Sequence, residues 1–136
     1  MNYFKVKSKK KPSISRLKKQ LEILVKQFVK IRDKNICQRC GKYVTGSDCH
    51  GSHVIPVSAG NQFRFDPLNI KTLCYHCHIN WWHKNPIEAG DWFQAKFPER
   101  YDYLFGKPRM SVKYTVQWYQ DMIEKYKALL KTLSKE

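Results

Sequence analysis

The chain has 136 residues, which accommodates one domain with helical arms and not two full domains. It carries 26 Lys and Arg against 11 Asp and Glu, a formal net charge of +15, and 14% of its residues are aromatic. That balance points to a polyanionic partner, most often nucleic acid, whereas the absence of any apolar run near the ~18–20 residues of a membrane span sets membranes aside.

Residues 1–12 hold Lys5, Lys7, Lys9, Lys10 and Lys11 and no acid, so they read as a basic flexible tail that touches phosphate. They lack the apolar core of a secretory peptide, which leads to the expectation of an intracellular protein with reduced thiols. Residues 13–136 read as a single domain: a helix over 13–33, a core over 37–83 and a helical region over 91–134. In the first helix Ile14, Leu17, Leu21, Leu24, Val25, Phe28 and Val29 recur at three- and four-residue steps, with Ser13 or Ser15 as cap. Its other face is basic, as a DNA-contacting helix would be and as any solvated helix is.

Residues 34–73, broken by Gly41, Gly46, Gly51, Gly60, Pro56 and Pro67, read as short strands and loops. Residues 74–84 suit a short helix that Pro86 ends, and Asp91 suits the cap of another through Phe97. Over 111–134, Val112, Val116, Tyr119, Ile123, Tyr126, Leu130 and Leu133 alternate steps of four and three behind Ser111 as N-cap. That heptad spacing fits an ordinary amphipathic helix on its own core. It also fits a pair with the 13–33 helix, or a homodimer.

The middle of the chain carries the chemistry. Cys37 and Cys40 form one Cys-x2-Cys turn, Cys74 and Cys77 a second, with 33 residues between them. Two such turns supply the four thiolates of a closed, structural Zn2+ site, and a core this small needs a staple. Cys49 lies outside the pattern and reads as a small buried side chain. Between the pairs sit His50, His53 and Asn69, and His78 follows Cys77 directly. Phosphodiester hydrolysis needs a base, a cation and a held phosphate, and a histidine titrating near neutrality suits the base. Adjacent helical residues differ by about 100°, so Cys77 can face zinc while His78 faces a neighbouring pocket.

The order C-x2-C, H-x2-H-V-I-P, D-P-x-N, L-C-x2-C-H resembles the HNH, or ββα-metal, endonucleases over about a third of the chain. The phrase G-N-Q-F-R-F-D-P-L-N-I leading to C-Y-H-C resembles more narrowly the phage NinG (Rap) recombination family, associated with cutting branched DNA. The H-x2-H pair with twin Cys-x2-Cys is also similar to the phage endonuclease VII resolvases. The resemblance implies an α+β fold: a small zinc-stapled ββα-metal core with long N- and C-terminal helices. It implies His53 as the base, Asn69 as a structural amide and His78 as a ligand of a catalytic Mg2+ or Mn2+. It further implies a metal-dependent endonuclease acting on branched DNA, Holliday junction or D-loop, in phage recombination. A duplex-nicking enzyme linked to packaging and an inactive zinc-stabilised DNA-binding module are the alternatives, and the cytoplasm of an infected bacterium is the expected place.

One position departs from the pattern. Most members carry an Asp or His ligand directly before the base, and here Ser52 stands there. His50 is the expected substitute, with Asp48 and His83 as weaker candidates. Arg64, Lys71 and Lys84 fall within the motif and are the expected phosphate contacts. Trp81 and Trp82 read as packing against the staple, or as a stacking surface for an unpaired base.

Overall fold

The computed structural model describes residues 12–135, so the expected basic tail lies outside the described residues except for Pro12. Helix α1 spans Ile14–Arg32 and is capped by Ser13, whose Oγ accepts from the Arg16 N–H at 3.2 Å. Leu17, Leu21, Val25 and Val29, each four residues apart, are buried along one stripe. Burying each contributes roughly 1.5–3 kcal/mol. The opposing stripe comes from α4, Val116–Leu133, through Tyr119, Ile123 and Tyr126, with Phe65 and Ile70 closing the cluster. The two stripes therefore cover each other within one chain, which removes the sequence motive for a homodimer built on them.

Helix α4 begins later than expected. Its N-cap is Thr115, whose Oγ1 accepts from the Trp118 N–H at 3.0 Å, and not Ser111. The reason lies in the preceding segment. Asn61 holds the Val112 backbone from both sides, donating to its carbonyl at 2.7 Å and accepting from its N–H at 2.6 Å. Gly60, at φ +124°, lies so close beneath Met110 that a Cβ would stand 2.7 Å from its carbonyl oxygen. Pinned in this way, the residues around Val112 cannot coil into the helix.

Strands β1 (His50–His53) and β2 (Ile70–Leu73) pair antiparallel, with Ser52 opposite Lys71 and His53 opposite Ile70. The end of α1 is fastened to β2. Asp33 accepts from the Thr72 N–H at 2.9 Å, and Arg32 donates to the Pro67 and Ile70 carbonyls at 2.7 Å each. Lys34 and Asn35, both at positive φ, then turn the chain toward the first cysteine pair.

After β2 the chain forms a π-helical turn over His76–Trp82, then α2 (Pro86–Lys96) and α3 (Pro98–Phe105). Asp91, expected as a cap, lies inside α2. Pro86, expected only as a terminator, opens that helix, and Pro98 opens α3. Proline suits a first helical turn because its φ is preset and its missing N–H would have had no partner there. Ile55, Phe63, Phe93 and Leu104 form a second core under α2 and α3. The described residues thus form an α+β fold, a small two-stranded sheet wrapped by helices. No described helix is long and apolar enough to cross a membrane.

Candidate functional site

Two tight turns build the cysteine cluster. In the first, the Gly41 N–H donates to the Cys37 carbonyl at 2.9 Å, and Gly41 takes φ +77° to let the chain double back. The second leads into the π-helical turn, where the Cys77 N–H donates to Cys74 Sγ at 3.3 Å. The Sγ atoms of Cys37, Cys40, Cys74 and Cys77 all lie within 4.8 Å of one another, and Cys40 Sγ is 3.9 Å from Cys74 Sγ. Four thiolates 2.3 Å from one tetrahedral zinc stand about 3.8 Å apart, so the spacing fits zinc and is far from a disulfide. All four cysteines are unbridged.

The charge state argues the same way. Burial, together with the neighbouring Cys74 and Cys37 thiols, pushes the Cys77 thiol up to about 12. Burial also raises Cys37, but hydrogen bonds from the backbone of Cys40, Cys74 and Arg39 outweigh it and leave it at about 7. Without a cation the four cannot all be thiolates, and a divalent ion resolves that conflict. Arg39, a residue the sequence reading passed over, lies over the Trp81 ring at 4.1 Å and donates to Cys77 Sγ at 3.6 Å. It would offset the charge that four thiolates leave on a bound zinc. Cys49 is buried beside this cluster, with its Sγ 3.9 Å from Asn35 Oδ1.

His53 ends β1. Its Nε2 donates to the Arg64 carbonyl at 2.9 Å, which leaves Nδ1 as the lone-pair nitrogen of the neutral ring. Burial lowers its pKa below the ordinary 6.5, while the Arg64 carbonyl opposes that shift. Asn69 is fully buried and secures the loop that delivers this carbonyl. It accepts from the Ile55 N–H at 2.8 Å and donates to the Ile55 and Phe63 carbonyls at 3.1 Å each. The amide therefore ties the loop and does not touch the His53 ring. Glu22, the sole acid in α1, was also missed by the sequence reading. It sits 3.7 Å from His53 Nε2 and 3.4 Å from Arg64 Nη2. An isolated acid on a basic helix face was the available signal.

His78 lies between two other histidines. Its Nδ1 is 2.9 Å from His50 Nδ1, and its Nε2 is 3.0 Å from His83 Nε2. His50 Nε2 must donate to the Ser47 carbonyl at 2.8 Å, so His50 Nδ1 accepts from His78 and His78 Nε2 accepts from His83. Burial and the two neighbouring imidazoles lower His78 to about 4, which keeps it neutral. The π-turn makes this possible. In an α-helix, residues 78 and 83 would diverge by about 140°. Here the His83 N–H reaches back five residues to the His78 carbonyl at 3.2 Å and brings the two rings together on one side, 4.7 Å apart and tilted by 44°. A 3.6-residue periodicity gives no sign of that.

The three rings do not converge on one point, because His78 turns opposite edges to its partners. His50 Nδ1 and His78 Nδ1 are spaced as neighbouring ligands of one ion at 2.0–2.1 Å would be, about 3 Å apart. With both on an ion, the His78 proton would pass to Nε2, against His83. Imidazole nitrogens without a carboxylate suit a borderline ion better than hard Mg2+. Asp48 does not join them: its carboxylate is committed to Lys42 at 2.7 Å and to the Tyr75 N–H at 2.9 Å.

The expected phosphate contacts separate. Lys84 is exposed. Arg64 is half-buried and tied to Glu22. Lys71 is 0% exposed and is not available to a phosphate on the surface. Its Nζ donates to Ser52 Oγ at 3.1 Å and lies 3.2 Å from the centre of the Trp82 ring, and burial drives its pKa well down. Residue 71 is on β2 directly opposite Ser52, and since all four residues of that strand are buried, the strand is covered on both faces. Trp81 is buried against Arg39 and Trp92, whereas Trp82 walls a cleft of about 490 Å³ that His53, His78, His83 and Lys26 also line. Gly51 belongs to the same wall. A Cβ there would meet the Lys26 side chain at 2.7 Å, so the glycine lets that lysine cross β1 into the cleft.

No curated protein and no solved structure matches the chain. The profile of the family described as Bacteriophage Lambda NinG protein matches residues 2–136, nearly the whole sequence. With the cysteine cluster, the loop-securing asparagine and the histidine cleft all inside that span, the chain belongs to the NinG family.

Proposed function

We propose that this chain is a metal-dependent DNA endonuclease of the HNH type that cuts branched DNA during phage recombination. The observation that carries the reading is the tautomer of His53: the Arg64 carbonyl holds the proton on Nε2, so the other ring nitrogen is ready to accept one. His53 shares its cleft with His78, and the chain's net charge of +15 favours DNA. In this reading a water molecule gives its proton to His53 Nδ1, the hydroxide attacks phosphorus, and the bond to the leaving oxygen breaks. Glu22 steadies the protonated imidazole that results. His50 and His78 would hold a divalent ion, Mn2+ or a softer first-row ion in preference to Mg2+, and the ion would supply charge neutralisation at the phosphate. The four cysteines hold zinc and only brace the core.

A second reading has one observation in its favour. Ser52, where relatives of the HNH type carry a ligand, is spent on a buried lysine, as a zinc-stabilised DNA-binding module without catalysis would allow. Nicking of supercoiled plasmid by zinc-loaded protein with added Mn2+ separates the two. The nuclease reading expects nicking that His53→Ala reduces by about 10²-fold or more. Tight binding without nicking by the wild-type protein would leave the binding module.

A further inference from the structure

The cleft beside the histidines is larger and more apolar than phosphate chemistry requires. Its floor is Phe93, fully buried, and its walls are Trp82 and Tyr101. Phe105 stands at the rim, 39% exposed, with its ring 4.5 Å from that of Tyr101 and tilted by 33°. At about 490 Å³ the space falls within the ~300–1,000 Å³ of small-molecule sites. Within a base-paired duplex the bases are stacked inside and only sugar and phosphate would face this wall. An aromatic surface opening directly from His53, His78 and His83 is filled only if a base leaves the stack. Lys26 enters the same cleft across Gly51 and can neutralise the adjoining phosphate.

Building on the nuclease reading, we infer that this cleft is a binding site for one unpaired nucleobase adjacent to the phosphate held at the histidines. The occupant is an unstacked base of a DNA strand, with Tyr101, Phe105 and Trp82 as its stacking surface. Strands at a branch point or a gap supply such a base, and continuous duplex does so only after unpairing. Selection of branched DNA would then come from the cleft's preference for an unstacked base.

The test uses the full-length zinc-loaded protein without added Mn2+, so that binding is read apart from cutting. The probe is a gapped duplex with one unpaired 2-aminopurine, beside the same duplex with an abasic site at that position. The inference expects the base-bearing probe to bind on the order of tenfold more tightly, the scale of one stacked base. It also expects a change in 2-aminopurine fluorescence on binding. Phe105→Ala, a rim substitution outside the buried core, should narrow the affinity difference severalfold and leave affinity for the abasic probe unchanged. Equal affinity for both probes would overturn the inference, and a doubling of protein mass with equal affinities would assign the cleft to a second copy of the chain. Plasmid nicking by the same wild-type preparation with Mn2+ added separates the two claims. Discrimination by a wild-type protein that nicks no plasmid supports the cleft and sinks the nuclease reading, whereas nicking without discrimination does the reverse.

Discussion

Replacing Asn69 by Ala should be among the most damaging single changes in the chain, although the residue touches no substrate. The side chain makes three hydrogen bonds inside the protein, to the Ile55 N–H, the Ile55 carbonyl and the Phe63 carbonyl. Asn69 is 0% exposed and Ile55 3%, so water cannot take over. Each buried backbone group left without a partner costs about 1–3 kcal/mol. With two or three groups orphaned and some relaxation, the loss comes to about 3–5 kcal/mol, a large share of the ~5–15 kcal/mol that holds a domain. The loop so loosened carries the Arg64 carbonyl that fixes the His53 tautomer, so catalysis should fall even where the protein is folded. Urea unfolding of the zinc-saturated protein reads the first effect, and plasmid nicking at low urea reads the second. Asn69→Asp sharpens the test, because it keeps the acceptor for Ile55 but sets carboxylate oxygen against two carbonyls. It should be at least as destabilising as Ala above the carboxylate's pKa and recover partly on acidification. A loss below 1 kcal/mol for Asn69→Ala would refute the assignment of the amide as the loop's fastening.

Three further outcomes are expected. Purified protein should hold one zinc per chain, and stripping it with a strong chelator should lower the melting temperature sharply; a zinc-free protein of unchanged stability would remove the staple. Activity should rise with pH along a single acid limb whose midpoint lies below ~6.5, because burial lowers the His53 pKa. The sign for stability is the same: the unfolded chain takes up the His53 proton first as pH falls from about 6.5, so this group's contribution is present above that value and lost below it. A midpoint above 7 would contradict the buried, carbonyl-bonded ring. Lys71→Met should leave DNA affinity and its salt dependence unchanged, since the buried amine meets no phosphate. Lys84→Ala should weaken binding and reduce the salt slope by about one; the opposite ranking would return Lys71 to the surface.

Much of this arrangement was legible in the sequence, for reasons that differ by residue. The cysteine spacing carries its own geometry, because Cys-x2-Cys turns present two thiolates wherever they occur. The α1 and α4 stripes were legible as helices, and only the fold could show that each covers the other. Residue 71 misled because its place within the motif marks it as a phosphate contact, while β2 is covered on both faces and leaves no side chain of that strand at the surface. The approach of His83 to His78 was invisible because it depends on a π-turn, and no local propensity announces one. The start of α4 was misplaced because the deciding contact, Asn61 to Val112, joins residues 51 positions apart. Glu22 became part of the site through the docking of α1 on the sheet, a tertiary event.

The central claim is best tested by cleavage of a labelled four-way junction beside a linear duplex of matched sequence, with zinc-loaded protein in Mn2+. The account predicts that the junction is cut in preference to the duplex and that His53→Ala cuts neither while still binding both. Cutting by His53→Ala at the wild-type rate, or a folded wild-type protein that binds the junction and never cuts it, would contradict the account.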